Sequence, residues 1–281
     1  MASWTSETLK DVYTRLLERN VEFVVIGGQA VNLWSEHYSK SSDLPRSEWQ
    51  HFEPFSSGDL DCLGDSMDAR DAGDALGVEA ELYPPFSRTP VPNSGSLVVP
   101  LDHGDLLIHF IHTPYGANPD EVRRTALALP IGKEKPLPVM HPVLCLETKI
   151  ACLFGLDQRS RQDLKHVHLS CLIFHEFIRE RLQMGAVKDV LLAAERVGRL
   201  ACTQNGVNLW HEHSIGCESF LPINIIRQAA NTEPKLALFT SLRWPIVETK
   251  IRDRRIRFLA IVEASKKMRG SPPGADEPAA N

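Results

Sequence analysis

The stretch VEFVVIGGQAVNLW, residues 21 to 34, constrains the fold more than any other part of the chain. Its β-branched run favours an extended strand, and Gly27 and Gly28 interrupt it. QAVNLWSEHY then resumes a helical repeat through Ala30, Leu33, Trp34 and His37. Upstream, residues 7 to 19 place Leu9, Val12, Leu16 and Leu17 on one helical stripe, and Asn20 reads as the stop. The chain therefore opens as helix, strand, glycine turn, helix. The glycine pair itself reads two ways. Absent side chains permit a tight turn, or they let phosphate oxygens approach backbone N–H groups at a helix start. The Gly-Lys-Ser/Thr ending of a Walker A loop is missing, as is the full dinucleotide fingerprint.

Residues 39 to 58 are rich in Ser, Pro and Asp without a clear period, which predicts a loop or a partly ordered insertion. GDLDCLG, residues 58 to 64, alternates acid and apolar residues over a strand-like span, and DSMDARDAGDALG fits a short acidic helix carrying Met67 and Leu76. VEAELYPPF, GSLVVPL and DLLIHFIH are further strand candidates separated by Pro and Gly. Their shortness predicts a compact mixed or antiparallel sheet. From residue 139 the texture becomes helical: VMHPVLCLETKIACLFG, SRQDLKHVHLSCLIFHEFIRERLQ, GAVKDVLLAAERVGRL and the basic run VETKIRDRRIRFLAIVEASKKM. The proline-bearing segment IGKEKPLPVMHP marks a lobe boundary. The expected organisation is an α/β fold with one lobe at 1–135, a mainly helical lobe at 136–270 and a disordered tail, SPPGADEPAAN, at 271–281.

In SSGDLDCLG an extended backbone would put Asp59 and Asp61 on one face and Leu60 on the other. Two convergent carboxylates repel in a dry site, whereas Mg²⁺ holds both and bridges them to phosphate oxygens. The plainer reading is an acidic surface, since Asp65, Asp68, Asp71 and Asp74 follow closely.

Taken together, VEFVVIGGQAVNLW, SSGDLDCLG and LLIHFIHTPYG resemble the minimal nucleotidyltransferases of the DNA polymerase beta superfamily, especially the bacterial abortive-infection toxin-type enzymes. The resemblance covers much of residues 8 to 165. It implies a compact mixed-sheet nucleotidyltransferase-like lobe followed by the helical lobe. Gly27 and Gly28 match the family's glycine turn, and Asp59 and Asp61 its acid pair. Where the family carries a third acid on a neighbouring strand, this chain has His109. A histidine lacks the charge and paired oxygens that suit Mg²⁺, so His109 reads either as a metal contact or as a neutral core or supporting residue. Asp105, four residues earlier with the same parity, is the stronger candidate to compensate, ahead of Glu79 and Glu81. Lys149, in CLETKIACL, reads as a solvent-facing lysine or, by the resemblance, as a phosphate contact with Arg159, Arg161 and Lys165 as alternatives.

The resemblance implies metal-dependent nucleotidyl transfer from a nucleoside triphosphate to an RNA, protein or small-molecule hydroxyl, with Mg²⁺, or Mn²⁺, as cofactor. It places the metal on Asp59 and Asp61 with Asp105 or His109, and the nucleotide on Gly27, Gly28 and Lys149. A catalytically inactive nucleotide-binding or regulatory protein is the alternative. An antitoxin or other regulatory protein is an expected partner class.

Composition sets outer bounds. Charged residues make up 24% and hydrophobic ones 43%, which fits a globular chain and excludes wholesale disorder. No run of about 18 apolar residues occurs, so no membrane partner is expected and a cytoplasmic protein is the default. Six dispersed cysteines read as reduced core residues. Residues 1 to 130 hold 9 Lys/Arg against 20 Asp/Glu, whereas the remainder holds 22 against 16, so phosphate contacts are more plausible in the second half. The run from Lys250 to Arg257 reads as a solvated face, a partner surface or an RNA contact.

Overall fold

A computed structural model of the chain describes residues 3–83, 92–131, 135–156 and 162–270. The end of the expected VEAELYPPF strand, residues 132–134 of the proline-bearing segment, Arg159, Arg161 and the expected disordered tail at 271–281 lie outside the described residues. The chain forms two compact units, Met1–Ala186 with Phe220–Pro222, and Val187–Ser219 with Ile223–Asn281.

The first unit is mixed α/β. In chain order it holds α1 (Lys10–Glu18), β1 (Val24–Val25), α2 (Gly27–Ser39), α3 (Arg46–Gln50), β2 (Asp59–Leu63), α4 (Ser66–Leu76) and β3 (Ala80–Leu82). These are followed by β4 (Asn93–Leu101), β5 (Gly104–Ile111), α5 (Pro119–Thr125), β6 (Leu127–Leu129), β7 (Leu137–Val139), α6 (Pro142–Gly155) and α7 (Asp163–Gln183). Among the described residues the strands form one seven-stranded sheet in the order β3-β4-β5-β2-β1-β7-β6. β2 runs parallel to β5 and β1 parallel to β7, while the other neighbouring pairs are antiparallel. This is the mixed sheet expected from short strands.

Local chemistry accounts for the elements that position the site. Asn20 ends α1 in the left-handed conformation (φ 55°), with Asn20 N–H donating to Leu17 and Val21 N–H to Leu16. That crossed pair of bonds closes a helix and redirects the chain into β1. β1 is brief, but Ile26 N–H continues its pairing by donating to the Asp61 carbonyl at 3.0 Å. β7 docks on its other side, where Met140 N–H donates to the Val25 carbonyl at 2.9 Å. The proline-bearing segment thus contributes a strand to the sheet. On β2, Leu60 and Cys62 are buried and Asp59 and Asp61 are partly open, the alternation expected of a strand with one face in the core. Burying a leucine of this kind contributes about 2 kcal/mol, which anchors the register that presents the aspartates.

Residues 39 to 58 are more ordered than their composition suggests. They include α3, whose Trp49 is buried and meets Phe55 edge-on at 6.4 Å between ring centroids. Arg179 on α7 donates to the Ser41 carbonyl and the Asp43 carboxylate, each at 2.7 Å, and to buried Glu176 at 2.6 Å. Ser42 Oγ also donates to Glu176 at 2.7 Å. These bonds satisfy a buried carboxylate and tie the segment to α7.

The second unit holds α8 (Val187–Cys202), α9 (Gln204–His213), α10 (Ile223–Ala229), α11 (Pro234–Leu238), a π-helical turn at Phe239–Arg243 and α12 (Trp244–Gly270). Val190, Ala194, Val197, Val207, Leu236 and Trp244 form buried apolar positions of this unit. The basic run lies on α12, where Arg255 pairs with Glu218 at 2.7 Å and covers the Trp210 ring at 4.7 Å. None of the six cysteines is joined in a disulfide. No helix among the described residues is long and apolar enough to cross a membrane.

Candidate functional site

A polar cluster gathers where β1 turns into α2, beside β2. Ile26 is extended, and Gly27 then takes a left-handed φ of 66°, a conformation that an L side chain resists. A Cβ on Gly27 would also overlap the Asp61 carboxylate. At Gly28 a Cβ would lie 2.6 Å from Ser57 Oγ and 3.0 Å from His166 Cε1. Both glycines are therefore required by space, and the first also by backbone conformation. No side chain caps α2, so the N–H groups of its first turn and the positive end of its dipole remain for an incoming anion.

Asp59 and Asp61 project from the same face of β2, as the alternation predicts. Ser57 Oγ donates to Asp59 Oδ1 at 3.2 Å. The Asp61 carboxyl is pushed up to about 7, first by burial and then by the negative charge of Asp59, with the Lys149 ammonium opposing both. A bound cation would relieve the penalty that burial and the neighbouring Asp59 charge place on ionising Asp61.

Lys149 on α6 is nearly buried rather than solvent-facing, and its Nζ lies 3.5 Å from Asp163 Oδ1 on α7. His166 follows one helical turn after Asp163. Burial, then the charges of Lys149 and Lys165, hold its imidazole well below the usual histidine range, so it is neutral near pH 7. Its Nε2 is buried without a hydrogen-bond partner. An orphaned buried nitrogen beside an uncapped helix start suits an added polar group.

Of the residues singled out in the sequence, the fold brings Gly27, Gly28, Asp59, Asp61 and Lys149 into one neighbourhood. His109 stands in register with Asp61 on the adjacent strand, and Asp59 stands in register with Leu107. The His109 ring turns toward β4, where Asn93 Nδ2 donates to its Nδ1 at 3.4 Å. Asp105 lies at the exposed start of β5, paired with Pro100. Glu79 precedes β3, and Glu81 on that strand is separated from β2 by β4 and β5. Lys165 donates to the Pro54 carbonyl at 3.2 Å. Among the described residues no three His, Cys, Asp or Glu side chains converge as a metal cage. Asp105 and His109 are thus not assembled with the pair into one. Mg²⁺ is commonly held by one or two carboxylates together with substrate phosphates and water, and the pair fits that mode.

Sequence reasoning missed Ser57, Asp163 and His166 as neighbours of the pair. QDLKH carried a weak signal, because Asp163 and His166 share a helix face at i and i+3 at the head of an amphipathic helix.

Comparison with known proteins adds no relative: no protein-family model and no curated protein matches the chain.

Proposed function

We propose that the first unit binds a nucleoside triphosphate and transfers its nucleotidyl group to an acceptor hydroxyl. The observation that carries this reading is the acid pair of β2 closed against a left-handed glycine at an uncapped helix start. The likeness of VVIGGQA, GDLDCLG and LLIHFIHTPYG to minimal nucleotidyltransferases of the DNA polymerase beta superfamily supports it. On this reading the first unit is the nucleotidyltransferase-like lobe and the helical unit serves an acceptor or a partner, in a cytoplasmic protein.

Asp59 and Asp61 would hold Mg²⁺ or Mn²⁺, which when bound neutralises charge on the phosphoryl oxygens. Gly27 and Gly28 let Asp61, Ser57 and His166 pack against the start of α2, whose N–H groups would take the terminal phosphates. Lys149, held by Asp163, supplies a fixed positive charge beside Asp61. The acceptor oxygen forms a bond to the α phosphorus, the α–β phosphoanhydride bond breaks, pyrophosphate leaves and the hydroxyl proton passes to solvent.

A second reading has its own observation. The residues in register with Asp59 and Asp61 on β5 are Leu107 and His109, neither of them an acid. That departure favours a nucleotide-binding or regulatory protein that does not complete the transfer. Incubating the protein with α-labelled triphosphates, Mg²⁺ or Mn²⁺, and RNA, protein and small-molecule acceptors separates the two. Label transfer lost in Asp59→Ala supports the enzyme; triphosphate binding without transfer supports the binder.

A further inference from the structure

The nucleotidyl-transfer reading leaves unused an open cavity of about 460 Å³ in the second unit, between α8 and the start of α12. Its volume falls within the range of about 300–1,000 Å³ typical of small-molecule sites. Phe239, Val247 and half-exposed Ile246 give it an apolar wall.

Three further observations mark the cavity as a shaped feature. Gly198 lies inside α8, where glycine costs about 1 kcal/mol relative to alanine. A Cβ there would come within 2.6 Å of Val247 Cγ1, so the glycine sets the close approach of α8 and α12. The π-helical turn Phe239–Arg243 supplies wall residues at both its ends, and π turns are rare and concentrate at functional sites. The charges at the mouth are unequal. Arg243 is tied to Glu195 at 2.8 Å, whereas Arg199 and Lys250 have no carboxylate partner among the described residues.

We propose that this cavity binds a small amphiphilic carboxylate, with its apolar body on Phe239, Ile246 and Val247 and its carboxylate at Arg199 and Lys250. Burying the ligand's chain supplies most of the affinity, and the two cations select an anionic head over a neutral one. The wall also carries a reporter. Cys202 lines the cavity and is half-buried; burial and Glu218 push its thiol up against the pull of Lys250, Arg255 and Arg254. Alkylation of Cys202 above neutral pH therefore reads occupancy.

The test uses the full chain and decanoate as probe, with calorimetry for binding and peptide mass for cysteine alkylation. The expected result is one saturable site, and alkylation of Cys202 slowed about tenfold at a decanoate concentration about ten times Kd. Cys152, the other half-buried thiol, lies in the first unit and keeps its rate. Decanol, lacking the charge, binds about tenfold more weakly, and Arg199→Glu combined with Lys250→Glu weakens decanoate by at least about as much. These are exposed positions, so folding of the double variant, checked by circular dichroism, is expected to be preserved. Ile246→Glu, which sets a carboxylate on the wall, also abolishes decanoate binding. Absence of saturable binding up to about 1 mM, the weak end of specific affinity, overturns the proposal. Equal binding of decanol and decanoate, or binding that leaves Cys202 unprotected, overturns it as well. Asp59→Ala leaves decanoate binding unchanged, so failure of the nucleotide reading is distinguishable from failure of this one.

Discussion

β2 and β5 lie side by side, run parallel and alternate in the same way, yet they present different chemistry on the shared face. β2 offers Asp59 and Asp61; in register with them β5 offers Leu107 and His109. The buried faces are alike, with Leu60 and Cys62 on one strand and Leu106, Ile108 and Phe110 on the other. The contrast shows that the sheet's packing does not require carboxylates on this face. On β2 burial and the charge of Asp59 raise the pKa of Asp61, a cost without packing benefit that the proposed cation role would explain.

The largest expected disturbance comes from the turn that closes over β2. Gly27→Ala forces a side chain into a left-handed φ and into the Asp61 carboxylate, and is expected to destabilise the fold by about 3 kcal/mol. Urea unfolding checks it; a midpoint equal to that of the parent protein would mean that the turn is not constrained by Asp61.

Asp61→Asn moves stability the other way. The Asp61 carboxyl titrates at about 7 in the folded chain against about 4 when unfolded, so ionisation removes stability as pH rises through that window. Without divalent cations, the variant is expected to match the parent near pH 4 and exceed it by about 2 kcal/mol near pH 8. Thermal melts across that range read the difference. Added Mg²⁺ stabilises the parent more above pH 7 than below it and leaves the variant unchanged.

Converting β5 toward β2 sharpens the comparison. Leu107→Asp sets a third carboxylate in register with Asp59, and His109→Asp does so for Asp61. Whichever completes the site is expected to tighten Mn²⁺ by about tenfold, measured by calorimetry. If neither changes affinity, β5 takes no part in holding the cation. The smallest effect is expected from Asp105→Ala, because its exposed place at the start of β5 predicts a change of less than about 0.5 kcal/mol in stability and little in cation affinity.

Much of this face could be read before any fold was known, since period-two alternation in GDLDCLG fixes which side Asp59 and Asp61 share once Leu60 and Cys62 seek the core. The Gly27-Gly28 break was equally legible, although not the carboxylate that makes it necessary. What stood in register with the acids was harder, because strand pairing is non-local and one residue of slip exchanges the faces. Three-residue β6 and β7 are too short to show a period, and α3 rests on one buried tryptophan within a polar segment. Lys149 and Asp163, 14 residues apart in sequence, join two helices in a contact that no single helix's periodicity contains.

The central claim is that Asp59 and Asp61 act as one cation site for a triphosphate, and calorimetric titration of each nucleoside triphosphate with and without Mg²⁺ tests it most directly. Binding that requires Mg²⁺ and weakens by about 100-fold or more in both Asp59→Ala and Asp61→Ala is the predicted result. Binding of equal strength in the parent and in both folded variants would contradict it.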